Sequence, residues 1–380
     1  MNIHQCRCVL GVASVGAGLL VSTACSNEFS CEETRSCPSG KAGSGGMTNH
    51  DAGGAGASAN AGASGAAQGD SGGGAPEGGS GNAPDTTPPT VISIVPENGK
   101  SGVVEDAVIV ITFSEPMDKA ITQAAYQSAD VPAAQSVLTW SSDGRVLTVT
   151  PNADLAYAIG ATPAVPARKY TLNVTTAAED LAGNALEQDF TSSFSTLRRI
   201  KQAIASSDGV SLTPPGLYSY RCSAEGRLVI GENGDNLEYR GWLFFSIADL
   251  PSGITSLESA VLMATQVSVM GAPYGSGEDN LGNLILEHTS FAVVDASVHS
   301  AAPLRELGAF STTADLEAKS ASVLDAVKDD YANRISRKNQ SQYRLRFAKA
   351  TDGDGMADTA SFNCGSGASL PTLTVGYLIP

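Results

Sequence analysis

Tyr239-Arg240-Gly241-Trp242-Leu243-Phe244-Phe245-Ser246-Ile247 is the stretch that decides the fold of the C-terminal half of the chain. Its aromatic and branched residues favour a strand, in which successive side chains point to opposite faces. Leu243, Phe245 and Ile247 then share one face, and Trp242 and Phe244 share the other. Both faces are apolar, so the strand has to be covered on both sides, as an inner strand of a two-layer sandwich is. Working outward, apolar runs bounded by Gly, Pro, Asn and Asp predict further strands at 228–230, 257–269, 284–294, 343–350 and 373–377. One short helix is expected at about 326–334.

The same chemistry begins upstream at Val91. Short β-branched or aromatic runs at 91–95, 107–113, 137–140, 146–150, 170–175 and 190–196 are separated by turn residues, and no long helical period interrupts them. Ser142-Asp143-Gly144 lies between two of these runs and signals a hairpin, since Gly tolerates the positive φ of tight turns. Short strands at this spacing argue an antiparallel sandwich.

Specific residues now carry two resemblances. Thr87-Pro88-Pro89-Thr90-Val91, Ile111-Thr112-Phe113-Ser114-Glu115-Pro116-Met117-Asp118, Leu147-Thr148-Val149-Thr150-Pro151, Asp180-Leu181-Ala182-Gly183-Asn184 and Phe194-Ser195-Thr196 follow one another in an order that resembles a bacterial Ig-like domain of the SbsA type. The resemblance implies a spacer or adhesive module over 87–198, with Asp180 to Asn184 as a turn rather than a site. Arg240-Gly241-Trp242-Leu243-Phe244-Phe245, then Leu250-Pro251, Ser259-Ala260-Val261-Leu262, Tyr343-Arg344-Leu345-Arg346-Phe347 and Leu373 to Tyr377 resemble the DNRLRE-type domains, carbohydrate-module-like jelly rolls of secreted bacterial proteins. The second resemblance covers 199–380. The expected architecture is all-β, two antiparallel β-sandwiches in series, Ig-like and then jelly roll.

Upstream of both, an apolar run from Val9 to Val21 is too short for the roughly 20 residues of a membrane span but fits a secretory signal core. Ser22, Thr23 and Ala24 before Cys25 resemble the lipobox of bacterial lipoproteins, which implies removal of residues 1–24 and a lipid on Cys25. Between Phe29 and Val91 there is no Leu, Ile, Val, Phe, Trp or Tyr. Such a segment cannot offset roughly 1–2 kcal/mol per residue of backbone ordering, so 25–86 is expected to be a disordered Gly/Ala/Ser linker. The chain is therefore expected to be exported and lipid-anchored to the envelope. Ser26, where an inner-membrane lipoprotein of the well-studied Gram-negative type would carry Asp, points to the outer membrane.

Charge and cysteines bound the partners. With 23 basic against 39 acidic groups the net charge is −16, and the short basic clusters Arg198-Arg199-Lys201 and Arg334 to Lys338 read as solvated surface. Nucleic acid, which needs a basic stripe, is excluded as an expected partner. Cys6 and Cys8 leave with the leader and Cys25 takes the lipid. Cys31, Cys37, Cys222 and Cys364 remain, an even set that suits disulfides, with Cys31–Cys37 as a small loop and Cys222–Cys364 spanning the last domain. No CxxC spacing supports zinc.

The catalytic signals are poor. Gly69-Asp70-Ser71-Gly72-Gly73 spells a serine-hydrolase string inside a segment that cannot hold a base or an oxyanion hole. His288 and His299 lack a metal-binding spacing and read as surface or strand-end residues. A polysaccharide-active enzyme would need only two acids, and stays as a lesser alternative. Asp352-Gly353-Asp354-Gly355-Met356-Ala357-Asp358 is the best chemical signal: hard oxygens at alternate positions with Gly turns suit calcium, and Asp352, Asp354 and Asp358 are the candidate ligands. It resembles part of an EF-hand loop, with Ala350 and Ser361 where the first and last acids belong. A plain Asp/Gly turn is the competing reading. For glycans, the candidate aromatics are Tyr218, Tyr220, Tyr239, Trp242, Tyr274 and Tyr331. Tyr274, in a Gly-rich loop, is the expected exposed platform, and Trp242 is a second candidate that its own apolar strand more readily places in the core. The expected function is non-catalytic display of a head that binds polysaccharide or another surface ligand; a purely structural surface or matrix component is the alternative.

Overall fold

The computed structural model describes residues 84–214, 219–365 and 370–380. The expected leader, the linker, Cys25, Cys31, Cys37 and Tyr218 lie outside the described residues. The first sandwich comprises β1 (Val91–Val95), β2 (Ile109–Phe113), α1 (Lys119–Ala125), β3 (Tyr126–Gln127), β4 (Ser136–Trp140), β5 (Val146–Pro151), β6 (Ala158–Gly160), β7 (Lys169–Val174) and β8 (Phe190–Ser195). Its sheets run β1-β2-β5-β4 and β3-β7-β8. Ile109, Ile111, Phe113, Leu147 and Val149 of the first meet Tyr170, Leu172, Val174 and Phe194 of the second in one core. The expected hairpin joins β4 to β5, with Gly144 at φ +72°. Asp118 ends the Ser114–Asp118 motif by capping α1, accepting from the N–H groups of Ala120 and Ile121 at 2.9 and 3.0 Å. Asp180 shapes the following turn, accepting from the N–H groups of Ala182 and Asn184 at 2.7 and 2.8 Å.

The second sandwich comprises β9 (Arg198–Ala205), β10 (Asp208–Leu212), β11 (Ser219–Arg221), α2 (Cys222–Glu225), β12 (Arg227–Glu232), β13 (Glu238–Ser246), β14 (Ser256–Met270), β15 (Leu284–Thr289), β16 (Arg305–Ser311), β17 (Ala318–Ser322), α3 (Leu324–Ala332), β18 (Gln340–Phe347), β19 (Asp358–Asn363) and β20 (Thr372–Ile379). One layer has the order β16-β15-β18-β13 with β10 beyond it, and the other has β12-β19-β14-β20-β9. The hairpin of β12 and β13, paired only at Gly231↔Tyr239 and Glu232↔Glu238, turns the corner between layers. Leu243, Phe245, Leu286 and Leu345 from one layer pack on Leu228, Leu262, Phe362, Leu373 and Val375 from the other. The all-β reading holds. A disulfide joins Cys222 to Cys364, 142 residues apart.

The outward face of β13 is covered differently from the expectation. The strand expected over 284–294 ends at Thr289, and the segment that follows folds back over the sheet. Val294 and Val298 pack there on Trp242, Val210 and Phe244. Beneath it runs a chain of charges: Arg344 Nε donates to Glu287 at 2.5 Å, Arg346 Nε donates to the same carboxylate at 2.9 Å, and Arg344 Nη1 donates to the carbonyl of Ala301 at 2.8 Å.

Lys201 and Lys338 are exposed as expected, but the surface reading is corrected for Arg198, Arg199 and Arg337. Arg199 forms ion pairs with Glu105 and Glu258 and lies 5.1 Å over the Tyr157 ring, while Arg198 donates to the carbonyls of Pro163 and Val165. Together with the parallel pairing of β6 and β9, these contacts join the two sandwiches. Arg337 is likewise largely buried, paired with Asp329 and Asp330.

Candidate functional site

The inner residues of β12 and β19, such as Leu228, Ile230, Ala360 and Phe362, fill the core, so Val229, Thr359 and Ser361 face outward. On that face Val229, Ser361 and Ser268 lie side by side across β12, β19 and β14, and Thr359 is opposite Met270. These residues floor a groove of about 500 Å³. Half-buried Tyr220 walls it, its ring tilted at 58° to that of Tyr239, which is 4% exposed, with centroids 5.5 Å apart. Arg227, Glu225 and Asn233 stand around its rim. An aromatic edge with an exposed Met270 gives apolar contact, and the serine, threonine and asparagine groups give hydrogen bonds, as an uncharged polyol needs.

Tyr220 and Tyr239 are among the candidate aromatics, but the two preferred ones, Tyr274 and Trp242, lie elsewhere. Trp242 is 0% exposed, roofed by the segment after β15 and by Arg344, whose guanidinium carbon is 5.8 Å from its ring. Tyr274 is half-buried: its ring packs edge-on against Phe347 at 5.1 Å, and its hydroxyl donates to Gln266 Oε1 at 2.5 Å. Burial pushes that hydroxyl's pKa up to about 12. Neither offers a free face. The period-2 pattern of β13 buried Trp242, and a Gly-rich loop misled on Tyr274 because its ring folds back onto the core.

At the end of the groove lies the expected acidic loop, with one partner the spacing did not reveal. Oxygens of Glu232, Asp352, Asp354 and Asp358 all lie within 4.8 Å of one another. Glu232 closes β12, and it sits directly opposite Asp358 in the β12–β19 ladder. Burial, and then Asp352 beside it, hold the Glu232 carboxyl above its ordinary range; burial, and then Asp352, Asp354 and Asp279, do the same for Asp358. Gly271, at φ +66°, leaves the room that Asp358 occupies, since a Cβ there would stand 2.2 Å from its Oδ1. A glycosidase pair needs its two acids open to a sugar between them, whereas Glu232 is 0% exposed and these carboxylates face one another. A second acidic group, Asp85, Glu115 and Asp180, lies in the first sandwich, but its buried member Asp180 is fully engaged in the turn described above.

Both histidines are corrected as well, each being 2% exposed. His288 Nε2 lies 2.9 Å from Asp330 Oδ1, and Ser341 donates to the other oxygen of Asp330 at 2.6 Å. The serine bonds to the carboxylate rather than to the imidazole, so these three do not form a nucleophilic triad. His299 is buried within the covering segment itself; burial, and then the Arg240 charge, hold it below its ordinary pKa of 6.5. The unfolded chain takes up a proton below that value which the folded chain resists, so stability falls as pH drops through it. Melting temperatures of wild type and His299→Gln should diverge from pH 7 to pH 5, with the wild type losing more.

Residues 85–196 match the family model of the bacterial Ig-like domain. The match covers the first sandwich. No curated protein matches the chain. Among solved structures, the L,D-transpeptidase from Mycobacterium smegmatis is 12% identical over 59% of this chain and 75% of its own, with a TM-score of 0.21. SGBP-B from a complex xyloglucan utilization locus in Bacteroides uniformis is 10% identical over 75% of this chain and 72% of its own, with a TM-score of 0.22. The S-layer protein SbsC is 16% identical over 50% of this chain and 29% of its own, with a TM-score of 0.20. Likenesses this distant carry no ligand or activity across. Among the described residues no helix is long and apolar enough to cross a membrane.

Proposed function

We propose that this is a non-catalytic envelope protein, exported and lipid-anchored through Cys25, in which the Ig-like sandwich is a spacer and the second sandwich binds an uncharged polysaccharide. The supporting observation is the groove walled by half-buried Tyr220 and floored by Ser268, Thr359 and Ser361. The Tyr220 ring would pack on the apolar face of a sugar ring while the serine and threonine hydroxyl groups meet its edge. The net charge of −16 disfavours acidic polymers as well as nucleic acid.

A glycan array read with the purified chain tests the ligand class. Sugar-selective binding is expected, with Tyr220→Ala weakening it by about tenfold, equivalent to about 1.4 kcal/mol. An array without any selective signal would favour the purely structural alternative. The anchor is tested separately by mass spectrometry of the N-terminal peptide, where an acylated Cys25 is expected; at roughly 0.8 kcal/mol per buried methylene, more than one chain makes the attachment stable.

A further inference from the structure

We propose that Glu232, Asp352, Asp354 and Asp358 form a calcium site that ties the β12–β13 hairpin to the loop between β18 and β19. The site is distinct from the groove reading, because ion binding is measured without any glycan. The size fits. Calcium–oxygen distances of about 2.3–2.6 Å place opposite ligands roughly 4.6–5.2 Å apart, whereas magnesium at about 2.0–2.1 Å needs a tighter cage. The four carboxylates offer oxygens within 4.8 Å of one another, about the span across one calcium ion's ligand shell.

Two of those oxygens point to a ligand independently of the clustering. Glu232 is 0% exposed and its Oε2 has no hydrogen-bond partner; Oδ2 of Asp352 is also buried and without one. A buried anionic oxygen in that condition is costly unless a cation satisfies it. The ladder adds to the cost, since Glu232 and Asp358 are like charges placed directly opposite each other on adjacent strands. The remaining oxygens are fixed by the backbone. Glu232 Oε1 accepts from the N–H of Asp352 at 3.0 Å, Asp352 Oδ1 from Asp354 at 3.1 Å, Asp354 Oδ1 from Met356 at 2.6 Å, and Asp358 Oδ1 from Ala272. Each carboxylate is thus held through one oxygen, and the unpartnered Oε2 of Glu232 and Oδ2 of Asp352 are left for the ion. Three ligands come from the acidic loop, and the fourth arrives from a strand more than a hundred residues earlier.

Titration of the full chain, stripped with chelator, with calcium chloride and then magnesium chloride in a calorimeter tests the site. One calcium per chain is expected with Kd at or below about 10⁻³ M, and magnesium should bind more weakly. Calcium at about a hundredfold above Kd should raise the melting temperature of the second sandwich by roughly 5–10 °C. Glu232→Gln removes a buried charge. It should melt above wild type in chelator and below it in calcium, an inversion that loss of an ordinary structural contact would not give. Asp354→Asn, at an exposed position, should keep the chelator-state melting temperature and lose about tenfold or more in calcium affinity. The site is overturned if calcium produces neither heat nor a melting shift, or if Asp354→Asn responds to calcium as wild type does. Should Glu232→Gln fail to fold, Asp354→Asn alone decides.

Discussion

Glu287→Ala should destabilise the second sandwich by about 3–5 kcal/mol, the cost of stranding a buried charge. The charge left behind is Arg344, 2% exposed and directly opposite Glu287 in the β15–β18 ladder. Its Nε now meets Glu287 Oε2 at 2.5 Å, and its Nη1 holds the carbonyls of His299 and Ala301 at 3.2 and 2.8 Å. Without the carboxylate the guanidinium has to draw water under the segment that roofs Trp242, so the roof loosens with the pair. Two readouts are expected together: a drop in the denaturant midpoint, and a red shift of Trp242 emission measured in a Trp140→Phe background. Replacing both Glu287 and Arg344 by Met should recover part of the loss, because the buried Arg344 charge goes with its partner and Arg346 keeps Glu306 at 2.9 Å, though the carbonyl anchors of the roof stay missing.

The second large effect is expected from the disulfide. Cys222 opens α2 and Cys364 follows β19, so the bridge closes most of the second sandwich into one loop with a separation of 142. In the chain-entropy description a loop that long stabilises by about 4–5 kcal/mol through the unfolded state. Cys222→Ala with Cys364→Ala should therefore lower the second sandwich's melting temperature by roughly 10–15 °C. The Ig-like sandwich should melt unchanged, since neither cysteine belongs to its core. Scanning calorimetry resolves the two transitions, and equal melting of variant and wild type would remove the bridge from the list of stabilising features.

The fold was legible where a local pattern decides it. The double-faced apolar strand around Trp242, the Ser142-Asp143-Gly144 hairpin and the capped or turn-forming acids Asp118 and Asp180 each act within a few residues. The candidate sites were legible only in part, because their partners come from afar. Asp352, Asp354 and Asp358 announce themselves by spacing, whereas Glu232 sits in an ordinary Gly-Glu-Asn-Gly turn and gains meaning only through its register opposite Asp358. A lone acid closing an otherwise apolar strand was the available signal. Phe291, Val293 and Val294 look like a continued strand, yet the chain leaves the sheet to cover Trp242, a choice made by the apolar outer face it meets. Arg344 and Arg346 carry no reading of their own in the sequence, because the carboxylate that pairs with both, Glu287, lies on a neighbouring strand. His288 and Tyr274 are misread for the same reason: Asp330 and Gln266, which make their burial tolerable, lie on other elements.

Binding without cleavage is tested most directly by incubating the purified chain with neutral polysaccharides and running the mixtures on size exclusion with light scattering. At least one polymer should co-elute with wild-type protein and not with Tyr220→Ala, and its length should be unchanged after prolonged incubation. No co-elution with any polymer, or a polymer that shortens with time, would contradict the proposed role.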